Sequence, residues 1–180
     1  GLVTGVQTCA LPIYSERFGG DFEPLRNLTF AWLKSQNELI VMPFMAGGHE
    51  YGYPSLLIAP SNAGFFAGGL ADLQGFIPMS EIPKNFCPKA IIYLAPTFRH
   101  THFDGNQIVV HNRLNNLHEL FSFNLYPGPS AKKGAYGILL NIGESEGWVT
   151  LHGATVKLIT PYENQFIMMH EGASGGGKSE

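Results

Sequence analysis

Apolar and polar positions alternate with two different periods along this chain. Pro24 to Gln36 places Leu25, Leu28, Ala31 and Trp32 near helical spacing, which predicts an amphipathic helix. Leu39-Ile-Val-Met42 predicts a short strand ended by Pro43, and Ala46 to Pro54 a turn-rich loop. Tyr14 to Glu23, polar and aromatic, reads as loop. Leu56–Ala59 predicts a buried strand, and Ser61 to Gln74 a helix with Ala63, Phe66, Ala67, Leu70 and Leu73 on one face. Ile77 to Pro88 carries three prolines and reads as irregular. Ala90–Ala95 is the clearest buried strand. Arg99 to Asp104 would, if extended, put His100, His102 and Asp104 on one face, and a turn follows at Asp104-Gly105-Asn106. Gln107–His111 then reads as a hairpin partner. Asn112 to Leu120 reads as a helical turn or loop, and Phe121–Tyr126 as a strand broken at Pro127. Ala135–Asn141, Trp148–Ile159 (kinked at Gly153) and Gln165–His170 complete the predicted strands. Strands with hairpin-length connections dominate after Ala90, which predicts an α/β chain of the α+β kind with a mixed sheet.

Composition narrows the classes. The chain has 180 residues, enough for one sizeable core, with 44% hydrophobic and only 14% charged residues. A net charge of −3 makes no electrostatic case for nucleic acid or for an acidic membrane surface. No apolar run is long enough to span a bilayer. Cys9 and Cys87 form neither a disulfide framework nor a zinc spacing, which is compatible with a cytoplasmic setting. Gly1 to Ile13 resembles translated sequencing-adapter read-through and is expected to be a non-native leader.

The strongest chemical signal is at the other end. Gly172, Gly177, Lys178 and Ser179, with Ala173, Ser174, Gly175 and Gly176 between them, fit the phosphate-loop pattern G-x-x-x-x-G-K-[ST]. Glycines let consecutive backbone N–H groups converge on an anion. Lys178 would reach the β- and γ-phosphates, and the Ser179 hydroxyl would bind the metal that bridges them. A chain this rich in glycine carries such a string by chance about 2% of the time, and the competing reading is a flexible Gly/Ser tail. The apolar run Gln165–His170 directly before the loop favours the phosphate site. A helix should open at this loop, so the chain is expected to be a fragment of a longer protein.

Two further stretches join the loop: Ala131-Lys132-Lys133-Gly134-Ala135-Tyr136-Gly137, and Val149-Thr-Leu-His152-Gly-Ala-Thr-Val156. Together the three resemble the phosphoenolpyruvate carboxykinase superfamily, in which a Lys-Lys-Gly segment precedes an apolar strand and a later strand carries a histidine. Lys133 and His152, 19 positions apart (133 to 152), keep that order. The resemblance implies a substrate-side domain over 14–160 and the start of a nucleotide-binding domain over 161–180. It implies ATP or GTP with Mg²⁺ at the loop, and a second metal, Mn²⁺, on Lys133 and His152. Lys132 and Lys178 would face the phosphates, with Lys132, Lys133 and Lys178 as catalytic residues and Ser179 on the loop's Mg²⁺. A small acidic acceptor would be the substrate, with Arg113 and Tyr126 as weak candidates to hold it; Tyr126 is one place off the family's tyrosine and Arg113 matches by type alone. The loop's Gly-Lys-Ser-Glu ending is closer to HPr kinase, and the chain also resembles an uncharacterised bacterial domain-of-unknown-function family. Three other readings stand beside the enzyme: an HPr-kinase-like protein kinase, a nucleotide-binding sensor without turnover, and a metal-binding β-protein built on His100, His102 and His111.

Overall fold

The structure, a computed structural model, describes residues 7–95, 103–124, 129–151, 153–162 and 165–172, without the side chains of 7–13 and 129–133. It divides into two compact units, Gly1–Ile142 and Gly143–Glu180.

The first unit is built on one six-stranded sheet. Its strands are β1 (Gln7–Ala10), β2 (Leu39–Ala46), β3 (Tyr53–Pro60), β4 (Ala90–Ala95), β5 (Ile108–Arg113) and β6 (His118–Phe123), in the spatial order β1-β5-β6-β4-β3-β2. β3, β4 and β6 run parallel, while β2 pairs antiparallel with β3 and β5 antiparallel with β6. β1 lies parallel to β5. The expected mixed α/β sheet is therefore present. Its helices are α1 (Leu11–Phe18), α2 (Glu23–Lys34), α3 (Gly64–Gln74) and α4 (Pro129–Ser145).

Strand periodicity sends alternate residues to opposite faces, and each face has its own core. Leu57, Ile92, Leu94 and Leu120 pack with Phe66 and Leu70 of α3 and Ile138 and Ile142 of α4. On the other face Tyr93, Phe121 and Phe123 pack with Tyr14 of α1 and Leu25 and Leu33 of α2. That second core is aromatic: Tyr93 stacks on Phe121 at 4.9 Å, and Phe22 meets Phe121 edge-on at 5.1 Å.

Several expectations change. β2 does not end at Pro43 but continues to Ala46. The Pro43 carbonyl accepts from Ile77 N–H at 2.8 Å, so this residue's polar backbone side faces away from β3. The missing N–H therefore costs no ladder bond, which is how an edge strand tolerates proline. Tyr14 to Phe18, expected as loop, is helical. β5 runs on to Arg113 and β6 starts at His118, so the expected turn or helix at 112–120 shrinks to a tight connection with Leu114 N–H on Leu117 O at 2.9 Å. β5 is not a hairpin partner of β4, because β6 inserts between them.

The largest change is at 135–141. The expected strand lies wholly within α4, which opens at Pro129 and buries Ala135, Ile138 and Ile142. Proline suits the first helical position, and buried residues at i, i+3 and i+7 follow the helical period. A short apolar run such as Gly-Ile-Leu-Leu does not by itself separate the two periods. Gln7–Ala10, within the stretch set aside as a leader, forms β1 against β5.

The second unit contains a hairpin of β7 (Gly153–Ile159) and β8 (Gln165–Glu171). Val156 pairs with Met168 and Leu158 with Phe166, and nearly all its side chains are exposed. The long predicted strand starts at Gly153 rather than Trp148.

Candidate functional site

β8 ends at Glu171 and runs directly into Gly172, so a strand leads into the glycine string as a phosphate loop requires. Ala173, Ser174, Gly175, Gly176, Gly177, Lys178 and Ser179 lie outside the described residues, as do His152 and Tyr126. Lys132 and Lys133 are placed by their backbone in the opening turns of α4, not ahead of a strand. The carboxykinase layout of that segment is thus not reproduced. Arg113 closes β5.

α4 opens six positions past the end of β6 (123 to 129), and the carboxyl end of β6 lies beside that of β4. Open α/β sheets bind ligands at the carboxyl ends of their parallel strands. Backbone strain gathers at this edge. Asn124 (φ 58°), Phe103 (φ 61°) and Asp104 (φ 51°) are the non-glycine left-handed residues among the described ones. Asn124 N–H donates to Ala95 O at 3.2 Å and its Nδ2 to Asn106 O at 3.0 Å, tying the 103–106 turn to the end of β6. Such conformations persist only where surroundings over-determine them, and they cluster at functional sites.

Toward the amino-terminal end of β6, one polar cluster joins α4 to the sheet. His111 and Asn141 are both buried. Asn141 Nδ2 contacts His111 Nδ1 and donates to Gly137 O at 2.7 Å, while Asn141 Oδ1 accepts from Arg113 Nε. Gly137 makes room for the imidazole: a Cβ there would lie 2.6 Å from His111 Cε1. Burial first, then Arg113 and His118, push the His111 pKa down to about 4. This is an imidazole kept neutral.

A second cluster lies on the opposite face. Glu119, 2% exposed, accepts Arg26 Nε at 2.8 Å and Nη2 at 2.9 Å, and Asn112 Nδ2 at 2.7 Å. Arg26 also lies over the Phe30 ring at 4.7 Å. The Glu119 hydrogen bonds raise the Arg26 pKa. Burial and Glu119 push Tyr93 up to about 12.

Both clusters escaped sequence reading. Their partners stand 93 and 30 positions apart, and only the fold joins them. One signal was available: Glu119 directly precedes the apolar Leu120-Phe121, and a carboxylate buried beside them needs a partner.

Of the histidines offered as metal ligands, His100 and His102 lie outside the described residues, and His111 has Nδ1 taken by Asn141. Among the described residues, no group of three His, Cys, Asp or Glu side chains gathers to hold a metal ion. No described helix is long and apolar enough to cross a membrane. A family model described as "Domain of unknown function (DUF4914)" matches residues 2–180, and the chain belongs to that family. No curated protein matches it.

Proposed function

We propose that this DUF4914 member carries out nucleotide-dependent phosphoryl transfer of the phosphoenolpyruvate carboxykinase type. The observation that supports it is β8 leading straight into Gly172 and the string ending Gly177-Lys178-Ser179. In this reading Gly172–Gly177 cradle the phosphates of ATP or GTP through backbone N–H groups, Lys178 meets the β- and γ-phosphates, and Ser179 holds Mg²⁺. Lys133 and His152 would hold Mn²⁺, whose chemistry is to neutralise charge between the γ-phosphate and a small acidic acceptor. A lysine ligates only as the neutral amine. In this reading the metal itself and the adjacent charge of Lys132 would favour the neutral amine. Arg113 and Tyr126 are the candidates to hold the acceptor. Positioning and charge neutralisation then carry the reaction.

The test is titration of the protein with a fluorescent ATP analogue in Mg²⁺. Lys178→Ala should weaken binding at least tenfold, and equal affinity would sink the proposal. One observation favours a second reading, a nucleotide-binding sensor or an HPr-kinase-like protein kinase: Lys132 and Lys133 stand in a helix, unlike the carboxykinase segment. Lys133→Ala separates a sensor from an enzyme. It should abolish turnover in an enzyme while leaving nucleotide affinity within about threefold, and a sensor has no turnover to lose.

A further inference from the structure

The contact of His111 with Asn141 has no part in the reading above, although Arg113, which donates to Asn141 from the exposed end of β5, is there a candidate to hold the acceptor; the pair itself is a buried polar junction between α4 and the sheet. α4 is the helix that carries the lysine pair. We propose that Asn141, oriented by Arg113, is a positioning residue: it holds His111 as the neutral Nε2–H tautomer and locks the seat of α4 on β5, which sets where Lys132 and Lys133 stand.

The chemistry leaves one consistent arrangement. A guanidinium only donates and the Gly137 carbonyl only accepts, so the Asn141 amide must turn Oδ1 to Arg113 and Nδ2 to Gly137. The second N–H of Nδ2 then points at His111 Nδ1. That nitrogen must be a lone pair, and the ring proton sits on Nε2. In an isolated Asn–His pair, protonating the ring would be answered by an amide flip. Here a flip would aim Nδ2 at Arg113, donor against donor, so Arg113 blocks the rescue. The groups acting on the ring are Arg113 on its own strand and His118 on β6. From α4 it meets Gly137 and Asn141, from β6 Leu120 crowds the same space, and its register partner on β1 is Ala10. Lys133, Gly137 and Asn141 are spaced i, i+4 and i+8, so one stripe of α4 carries the lysine and both lock positions. The use of the lysines rests on the phosphoryl-transfer reading; the lock does not.

The test uses the 180-residue chain labelled with ¹⁵N, with the His111 ring signals identified by their loss in His111→Gln. Wild type should show the Nε2–H tautomer and stay neutral to about pH 4. Asn141→Asp places a carboxylate that accepts from both the imidazolium and Arg113, so the His111 midpoint should rise above its ordinary value, which a mere packing role would not cause. In Asn141→Leu, amides of α4 from 134 to 141 should exchange at least tenfold faster. An Nδ1–H tautomer in wild type, an unmoved midpoint in Asn141→Asp, or unchanged exchange in Asn141→Leu each overturns the lock. Asn141→Asp keeps the shape and decides the matter even where Asn141→Leu does not fold. MgATP protection of Lys132 and Lys133 from acetylation, measured in wild type, tests the phosphoryl-transfer reading alone. Absence of protection beside the Nε2–H tautomer removes that reading and leaves the lock standing.

Discussion

The two buried polar clusters lie back to back on β5 and β6, and they avoid an uncompensated charge in opposite ways. On the α2 face, Glu119 meets a guanidinium fork and an amide. On the α4 face, His111 is held without its proton, and an amide supplies the contact a counter-ion would otherwise make. The lesson is about which perturbation is dangerous. The first cluster fails when a partner is removed, since a carboxylate is then stranded in a low-dielectric interior. The second fails when a proton is added, since the contacts described for His111 are an amide N–H and two cationic or ionisable neighbours, Arg113 and His118, none of which accepts the new charge.

The largest expected effect comes from breaking the first. Arg26→Met should lower unfolding free energy by roughly 3–5 kcal/mol in urea titrations. Arg26→Met/Glu119→Gln should recover more than half of that, because a neutral amide replaces the stranded charge. A double variant no more stable than the single one would show that lost packing of Arg26, not stranded charge, dominates.

Next is the pH arm. The folded His111 pKa of about 4 lies below its ordinary 6.5. Below pH 6.5 the unfolded chain therefore binds a proton that the folded chain refuses until about pH 4. Stability should fall as pH drops through that window and this contribution should level off below it, by about 3 kcal/mol in all. Urea midpoints at pH 7, 5.5 and 4.5 would show the step, and His111→Gln should flatten it. A step of equal size in that variant would assign the effect elsewhere.

The smallest effect is expected where no cluster exists. Pro43 stands mid-strand in β2 with its backbone polar side away from β3. Pro43→Thr should change stability by no more than about 0.5 kcal/mol, measured by thermal melting. A loss above about 2 kcal/mol would mean that the proline does more than guard an edge.

Much of the architecture was legible from periodicity. Ala90–Ala95, with six consecutive apolar residues, was placed to the residue because its flanks Pro88 and Pro96 punctuate it. The helix after Pro24 was legible, but not its buried face: of Leu25, Leu28, Ala31 and Trp32 only Leu25 is buried, with Thr29 and Leu33, while Leu28 and Ala31 are exposed. Ala135–Asn141 was misread because seven residues of mixed small and apolar type satisfy both periods, and only burial against Ile92, Leu94 and Leu120 shows which one operates. Pro43 was misread as a stop because local chemistry cannot say whether a strand is at an edge. The Gly172–Ser179 string matched the phosphate-loop pattern in the sequence because that pattern is local; residues 173–179 lie outside the described residues.

What the sequence determined by itself was therefore short-range: which segments alternate, which turn, and where a glycine string follows a strand. These depend on residues within about one turn or one strand of each other. Tertiary structure alone decided that Glu119 would meet Arg26, and that His111 would lose its proton beside Asn141 and Gly137. Those outcomes depend on which surfaces the sheet order β5-β6-β4 brings under α2 and α4, and on how completely water is excluded there. No window of sequence holds both partners.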